Sequence, residues 1–236
     1  MSDFGDLGTV LNGIRQRKLN VKSVLDVGAN KAGWSEIAKM YFPDANFYLI
    51  EPLSEMEPYL KGFCEKNPGS RYFLNGAGSK IEKHVLTTWG DDLAGASCLV
   101  EPNSVLQSMN KQREISIVTI DSLIEEHGMP IPEIVKMDVQ GFEIEALKGS
   151  NRLIGATELF ILESSLFKFS KPVPLLSELI AFMTDKGYEI YDFAGYLRRP
   201  NDGALGQIDI CFALRNGFLR SSNDWGKPVS AETANP

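Results

Sequence analysis

The sequence predicts a doubly wound α/β fold with a mostly parallel sheet. Short β-branched runs alternate with segments whose apolar residues recur at helical spacing. The predicted strands are apolar on both faces, which is typical of strands covered by helices on both sides. The 236 residues suffice for one large domain with an insertion. Because such sheets bind ligands beyond the carboxyl ends of their strands, the residues that follow each strand are the first candidates for a functional site.

The first half of the chain supplies three predicted strands, at residues 21–27, 46–50 and 71–74. The first is followed by a helical stripe that runs from Trp34 to Tyr41. Ser54 with Glu57 three residues later is typical of a capping box, and it predicts the start of the second helix. These elements form the first half of the predicted sheet.

The alternation of strands and helices breaks between about residues 76 and 118. This break predicts an irregular insertion after the third strand, antiparallel in part. Short strands are expected within it at residues 84–89, 97–100 and 115–120.

Regular alternation returns in the second half of the chain. A strand at residues 134–138 is followed by a helix that Lys148 ends, with Gly149 at its C′ position. Another strand and an apolar helix follow. The last two strands, at residues 188–193 and 209–214, are expected to form an antiparallel pair joined by a loop.

The predicted organisation has three parts. Residues 1–20 form an N-terminal helical or extended segment, residues 21–216 form the α/β domain, and residues 217–236 form a mobile tail.

Composition narrows the possible functions. The net charge of −7 disfavours a nucleic-acid partner, because an acidic surface repels phosphates. The sequence contains no apolar run long enough to span a membrane, and its first residues lack a signal-peptide pattern, so we expect a soluble, cytoplasmic protein. The two histidines and three cysteines show no metal-ligand spacing, and no metal site is expected.

The first predicted strand ends in a loop of small residues that contains Gly28, Ala29 and Asn30. The dinucleotide pattern G-x-G-x-x-G is absent, since Asn30 stands where its second glycine belongs. Asp26, just before the loop, would repel a pyrophosphate and suits a ligand with a positive group. The alternative is a tight strand-to-helix turn that binds nothing.

Glu51 ends the second predicted strand. In doubly wound folds an acid at this place accepts hydrogen bonds from ribose hydroxyls. The loop and this acid together favour an adenosine ligand without a pyrophosphate, and S-adenosylmethionine fits that description. The alternative is an exposed carboxylate before Pro52.

Several segments resemble one known family. Residues 24–30 resemble the first motif of class I methyltransferases, in the form used by the FkbM family. Residues 134–143 resemble that family's most specific motif, and residues 118–124 resemble the segment that precedes it. Residues 146–149 and 160–163 continue the match. The resemblance covers roughly residues 23–214. The family usually has an acidic residue where Gln140 stands.

The resemblance implies a seven-stranded Rossmann-like methyltransferase sheet and S-adenosylmethionine as the cofactor. It implies methylation, most often of a hydroxyl on a sugar, polyketide or similar metabolite, and so a small-molecule or glycan acceptor. Asp138 is the first candidate for a catalytic base and Glu163 the second. Asp138 could instead cap a helix, and Lys136 could contact substrate or form a purely structural ion pair.

The resemblance also implies further cofactor contacts. Asn75, Gly76 and Ala77 follow the third strand, in the region where this superfamily contacts adenine, although a plain turn is the alternative. Ser97 matches a segment of the family near the methionine tail. Two other functions stay open: a non-catalytic cofactor-binding module and a nicotinamide-dependent oxidoreductase.

Overall fold

The computed structural model describes residues 4–89, 93, 95–169 and 173–226. The strands are β1 (Ser23–Val27), β2 (Asn46–Ile50), β3 (Arg71–Phe73), β4 (Gly76–Ala77), β5 (Glu82–Thr87), β6 (Gln112–Val118), β7 (Ile134–Met137), β8 (Leu159–Ser165), β9 (Tyr188–Arg198) and β10 (Leu205–Leu214). The α-helices are α1 (Leu7–Gln16), α2 (Gly33–Tyr41), α3 (Glu57–Lys66), α4 (Ser104–Ser108), α5 (Ile120–His127), α6 (Glu143–Lys148) and α7 (Leu176–Asp185).

The main sheet has seven strands in the order β3-β2-β1-β7-β8-β10-β9. The first five strands in this order are parallel to one another. Strand β10 is antiparallel to both β8 and β9. This confirms the predicted mostly parallel sheet with an antiparallel pair at its end. The strand order reverses between β1 and β7, and such a switch point opens a crevice at the carboxyl ends of the strands.

Apolar side chains cover the sheet on both faces. Every residue of the central strand β1 is therefore buried. One core contains residues of α1, α2 and α3, and the other contains residues of α5, α6 and α7. The N-terminal helix α1 is part of the first core through Val10, Leu11 and Ile14. Asp6 caps this helix by accepting a hydrogen bond from the Thr9 N–H at 2.7 Å.

The insertion forms a small sheet of its own, in the order β4-β6-β5, and β5 is antiparallel to β6. The strand predicted at residues 97–100 is wrong, because only Ser97 makes a bridge, to Thr87. The Leu99 N–H bonds back to the Ser97 hydroxyl at 3.3 Å, a local contact that competes with strand pairing. The short helix α4 was not predicted, although Asn103 caps it.

The last two strands form a longer hairpin than the sequence predicts. Strands β9 and β10 contain 11 and 10 residues, so most of the expected loop at residues 195–207 is strand. The register shifts between Leu205 and Gln207, and again beside Asp209. Glycines in this region therefore occupy a bulged hairpin, where a Cβ on Gly195 would clash with the Asp209 carboxylate.

Two expected helix ends are wrong in detail. Ser54 does not cap α3, because Ser54–Met56 form a 3-10 turn before it. Gly149 lies at the C-cap of α6 with a φ of −90°, so it is not a left-handed C′ glycine. A Cβ there would clash with the Gly78 carbonyl, and close packing explains the glycine.

The start of the predicted tail is folded. Phe218–Arg220 form a 3-10 turn whose Leu219 is buried, and the Arg17 guanidinium donates to the Leu219 carbonyl. Residues 1–3 of the N-terminal segment and 227–236 of the tail lie outside the described residues. Within the described ranges, no helix has both the length and the apolar character needed to cross a bilayer.

Candidate active site

A cleft opens where the strand order reverses, beyond the carboxyl ends of β1, β2 and β7. Seven of the residues singled out from the sequence line it: Gly28, Asn30, Glu51, Asn75, Gly76, Ala77 and Asp138. Apolar side chains, including Leu53 and Phe142, form much of the remaining wall. Glu51 and Asp138 are the charged residues among the described lining, so the cleft is acidic.

The turn from β1 into α2 brings backbone to the edge of this cleft. Gly28 has a φ of +76°, and Asn30 and Ala32 also adopt left-handed conformations, which are costly for residues with a Cβ. The N–H groups of Gly28 and Ala29 donate to the Ile50 carbonyl, which ties the turn to β2. Ala29 itself is buried in the core and does not line the cleft.

Glu51 is 4% exposed and holds two loops together. One carboxylate oxygen accepts the Asn30 N–H at 2.8 Å and the other accepts the Leu53 N–H at 2.9 Å. Burial raises the pKa of Glu51, and these two hydrogen bonds oppose the increase. A carboxylate accepts about four hydrogen bonds, so Glu51 keeps capacity for two hydroxyl donors.

Asp26 and Lys136 form a buried ion pair beneath the cleft. The Lys136 ammonium lies 3.3 Å from Asp26 Oδ1 and 3.7 Å from Asp138 Oδ2, and it donates to the Gly28 carbonyl at 3.1 Å. Burial alone would lower the pKa of Lys136, but the charges of Asp26 and Asp138 outweigh it and raise the pKa. The Ser35 hydroxyl donates to Asp26 Oδ2 at 2.6 Å.

This pairing gives Asp26 a different position from the one expected. Its side chain is fully buried and faces the Lys136 cation, so it does not line the cleft. Asp26 and Lys136 are cross-strand partners in the register of β1 and β7, which places their side chains together.

Gln140 joins Asp138 to Glu163 at the tip of β7. The Gln140 amide nitrogen donates to Asp138 Oδ1 and to Glu163 Oε2, both at 2.8 Å. Burial is the main cause of a strongly raised pKa at Glu163, and the nearby Asp138 carboxylate adds to it. Asp209, the register partner of Glu163 on β10, has a pKa raised to about 6, again mainly by burial.

A second cavity lies on the other side of Gln140. Trp89 and Phe169 supply aromatic wall, and hydroxyl and amide groups come from Ser97, Ser165 and Gln207. None of its described lining residues is charged. Gln140 lines both cavities and therefore stands between them.

Glu143, at the start of α6, holds the loop that carries Gln140. Its carboxylate accepts the Val139 N–H at 3.0 Å and the Gly141 N–H at 3.2 Å. Burial raises the pKa of Glu143 to about 7, and the two hydrogen bonds oppose the increase. In the described part of the chain, no group of three or more His, Cys, Asp or Glu side chains is arranged to hold a metal ion.

The sequence matches the family described as Methyltransferase FkbM domain over residues 26–190, and this match includes the β1 turn, Glu51 and the Asp138 loop. The chain belongs to the FkbM methyltransferase family. Its cofactor is S-adenosylmethionine. No significant match exists among curated protein sequences.

Solved structures are similar to this FkbM methyltransferase at low sequence identity. A fibrillarin/Nop5p complex matches with a TM-score of 0.53 and 12% identity, over 88% of this chain and 79% of the other. Precorrin-6y C5,15-methyltransferase from Geobacter metallireducens matches with a TM-score of 0.47 and 13% identity, over 87% and 86%. Aeropyrum pernix fibrillarin with natively bound S-adenosyl-L-methionine matches with a TM-score of 0.47 and 12% identity, over 83% and 68%.

The cleft of this FkbM methyltransferase fits the chemistry of its cofactor. The Glu51 carboxylate has acceptor capacity that suits hydroxyl groups, and the small residues Gly76 and Ala77 line the cleft beside apolar side chains. The two lining carboxylates suit a sulfonium cation and oppose a pyrophosphate. When bound, the cofactor supplies an activated methyl group, and the protein's residues hold it and prepare the acceptor.

Five of the predicted site residues stand outside the cleft: Asp26, Ala29, Ser97, Lys136 and Glu163. Ser97 lines the second cavity, where its hydroxyl donates to the Gln140 carbonyl at 2.9 Å. Asp209 was missed as a site residue. Its signal in the sequence is a single acid between apolar residues in the final strand.

Proposed function

We propose that this protein is an O-methyltransferase that transfers the methyl group of S-adenosylmethionine to a hydroxyl of a small neutral metabolite or glycan. The observation that carries the proposal is the position of Gln140, which lines both cavities and hydrogen-bonds the Asp138 carboxylate. The cofactor then occupies the cleft, and the acceptor enters the second cavity.

The lining of the second cavity supports a neutral, hydroxyl-bearing acceptor. Aromatic faces such as Trp89 and Phe169 pack against apolar faces of rings, and the serine and glutamine side chains hydrogen-bond hydroxyl groups. None of the described side chains that line this cavity is charged, which supports a neutral acceptor. The net charge of −7 further opposes a nucleic-acid acceptor.

Asp138 is the proposed base. Its side chain is 36% exposed at the edge of the cleft, and Lys136 and Gln140 fix its orientation. In the reaction the acceptor O–H bond breaks and its proton goes to an Asp138 oxygen. The acceptor oxygen forms a bond to the methyl carbon while the carbon–sulfur bond breaks, and the electron pair stays on sulfur. A hydroxyl is a poor nucleophile at neutral pH, so this proton transfer aids the reaction.

Cofactor contacts follow from the same placement. Glu51 accepts the ribose hydroxyls, and Asn75, Gly76 and Ala77 border the adenine. Gly28 and Asn30 bring backbone against the amino-acid tail. Asp26 and Lys136 lie beneath the cleft, where they fix the position of the turn after β1 and the orientation of the Asp138 side chain.

The test is a methyl-transfer screen with S-adenosylmethionine tritiated on its methyl group. The panel contains neutral saccharides and hydroxylated polyketides, with carboxylic acids, amines and RNA as comparisons. We expect label on a hydroxylated neutral compound, loss of transfer in Asp138→Asn, and retained cofactor affinity of that variant in calorimetry. Asp185→Asn, on an exposed carboxylate, is the matched control. Label confined to RNA, amines or acids would overturn the proposal.

A further inference from the structure

The side-chain amide nitrogen of Gln140 donates to two carboxyl groups. Its nitrogen carries two hydrogens, and it lies 2.8 Å from Asp138 Oδ1 and 2.8 Å from Glu163 Oε2. Each hydrogen therefore has one acceptor. The amide bridges the ends of β7 and β8 without adding a charge.

The backbone of Gln140 is held in an unusual conformation that aims this amide. Its φ is +54°, in the left-handed region that residues with a Cβ rarely adopt. The Ser97 hydroxyl of the insertion donates to its carbonyl at 2.9 Å, and Glu143 binds the N–H groups on both sides of it. The surroundings thus stabilise a strained residue, as they do at many functional sites.

The charges around the bridged pair are unbalanced. Glu163 on β8 faces Asp138 from β7, Glu143 from α6 and Asp209 from β10. Lys136 is the neighbouring cation among the described residues, and it already contacts Asp26 and Asp138. Asp138 lies 3.7 Å from this ammonium, whereas Glu163 forms no ion pair within 4.0 Å among the described residues. The arrangement favours a carboxylate at Asp138 and a neutral acid at Glu163.

We propose that Gln140 is a positioning residue that fixes an unequal pair, with Asp138 ionised and Glu163 carrying the proton. The amide gives each carboxyl group one hydrogen bond and so holds both in place, while the Lys136 ammonium beside Asp138 makes their surroundings unequal. The inference rests on the proposed function only where it names Asp138 as the base. The charge distribution itself is measurable without any acceptor.

The first experiment reads the two carboxyl groups by carbon-13 NMR in protein labelled at Asp and Glu. Asp138→Asn and Glu163→Gln assign the two signals. At pH 7 we expect the Glu163 signal at the position of a neutral acid and the Asp138 signal at that of a carboxylate. An ionised Glu163 at pH 7 would overturn the proposal.

The second experiment tests whether the amide causes this distribution. Gln140→Met keeps the size of the side chain but removes both hydrogen bonds, and we expect the Asp138 and Glu163 signals to move toward each other. The double variant Gln140→Glu with Glu163→Gln exchanges the amide and the carboxyl group between the two positions. In this variant the Asp138 signal should lie at the carboxylate position again, unlike in Gln140→Met. Gln16→Glu, on an exposed helix face, is the control. Unchanged signals in Gln140→Met would show that Gln140 does not set the charges.

The two proposals fail in different ways. Persistent methyl transfer in Asp138→Asn would remove Asp138 as the base and leave the NMR result intact. Equal signals for Asp138 and Glu163 in the wild-type protein would remove the role of Gln140 and leave O-methyl transfer intact.

Discussion

The α-carbon of Gly28 packs directly against the main-chain carbonyl of Asp138, across the carboxyl ends of β1 and β7. A Cβ on Gly28 would clash with that carbonyl, and its φ of +76° is itself unfavourable for any other residue. The contact fixes the cofactor turn against the loop that carries the proposed base.

Gly28→Ala should therefore destabilise the protein and weaken cofactor binding together. Left-handed strain and overpacking each cost about 1–3 kcal/mol, and we expect a loss of roughly 2–4 kcal/mol in the free energy of unfolding. Urea denaturation and calorimetry with S-adenosylmethionine measure the two effects. Gly33→Ala is the matched control, because a Cβ there meets nothing within 4 Å. Wild-type stability in Gly28→Ala would contradict the packing argument.

Removal of the Lys136 charge should leave Asp26 as an unpaired buried carboxylate. Lys136→Met is expected to lower the free energy of unfolding by about 3–5 kcal/mol. Asp26→Asn combined with Lys136→Met should be less destabilising than Lys136→Met alone, since no buried charge remains. Lys61→Met, in an exposed pair with Glu65 at 3.9 Å, should cost at most about 1 kcal/mol. Equal losses in the single and double variants would argue against a charge effect.

Glu51→Gln should weaken binding of S-adenosylmethionine and of its demethylated product by the same factor, because the ribose is common to both. Hydrogen bonds to a charged group contribute about 1.5–3 kcal/mol, so a tenfold or greater increase in Kd is expected. Calorimetry with both compounds measures this. A selective loss for the methylated compound would place Glu51 near the sulfonium. Glu36→Gln, on an exposed carboxylate, is the control.

Glu51 should also contribute to folding, because its buried carboxylate joins two loops. Because its carboxylate accepts the Asn30 and Leu53 N–H groups, Glu51→Ala should lower the melting temperature as well as the affinity. A melting temperature equal to that of the wild type would show that the two loops do not depend on it.

The stability of the protein should fall as the pH rises above about 4.5, the ordinary pKa of a glutamic acid. Burial raises the pKa of Glu163 in the folded state, so the unfolded chain releases this proton first. Stability is then fully present below the unfolded pKa and is lost as the pH rises toward the folded pKa. Glu163→Gln should remove the part of this dependence that Glu163 contributes, up to about 1.4 kcal/mol per pH unit, and leave the parts due to Glu51, Glu143 and Asp209. Denaturation between pH 5 and 8 measures it, and parallel profiles for the two proteins would contradict the assignment.

The strand-end positions were predictable from the sequence, because they depend on local patterns. The strand Asn46–Ile50 has the predicted bounds, and the rule for parallel sheets places Gly28, Glu51 and Asp138 at one edge. Short apolar runs in the insertion predicted strands less well, because composition does not show whether a segment pairs with another strand.

Pairings between distant strands were not predictable from one sequence. Asp26 faces Lys136, and Glu163 faces Asp209, through the registers of β1 with β7 and of β8 with β10. A sequence-based argument assigned Asp26 to a ligand cation, when a cation of the chain itself is its neighbour. The bridge made by Gln140 depends on a left-handed backbone conformation that no local pattern indicated.

Strand β10 is the last strand among the described residues but lies inside the sheet, between β8 and β9. During synthesis, β8 therefore keeps an unpaired edge until residues 205–214 have left the ribosome. The strands that border the cofactor cleft, β1, β2 and β7, have left the ribosome before that. A nascent or truncated chain that ends before β10 would thus carry a cofactor site next to an unpaired, aggregation-prone strand edge. It would also lack Asp209.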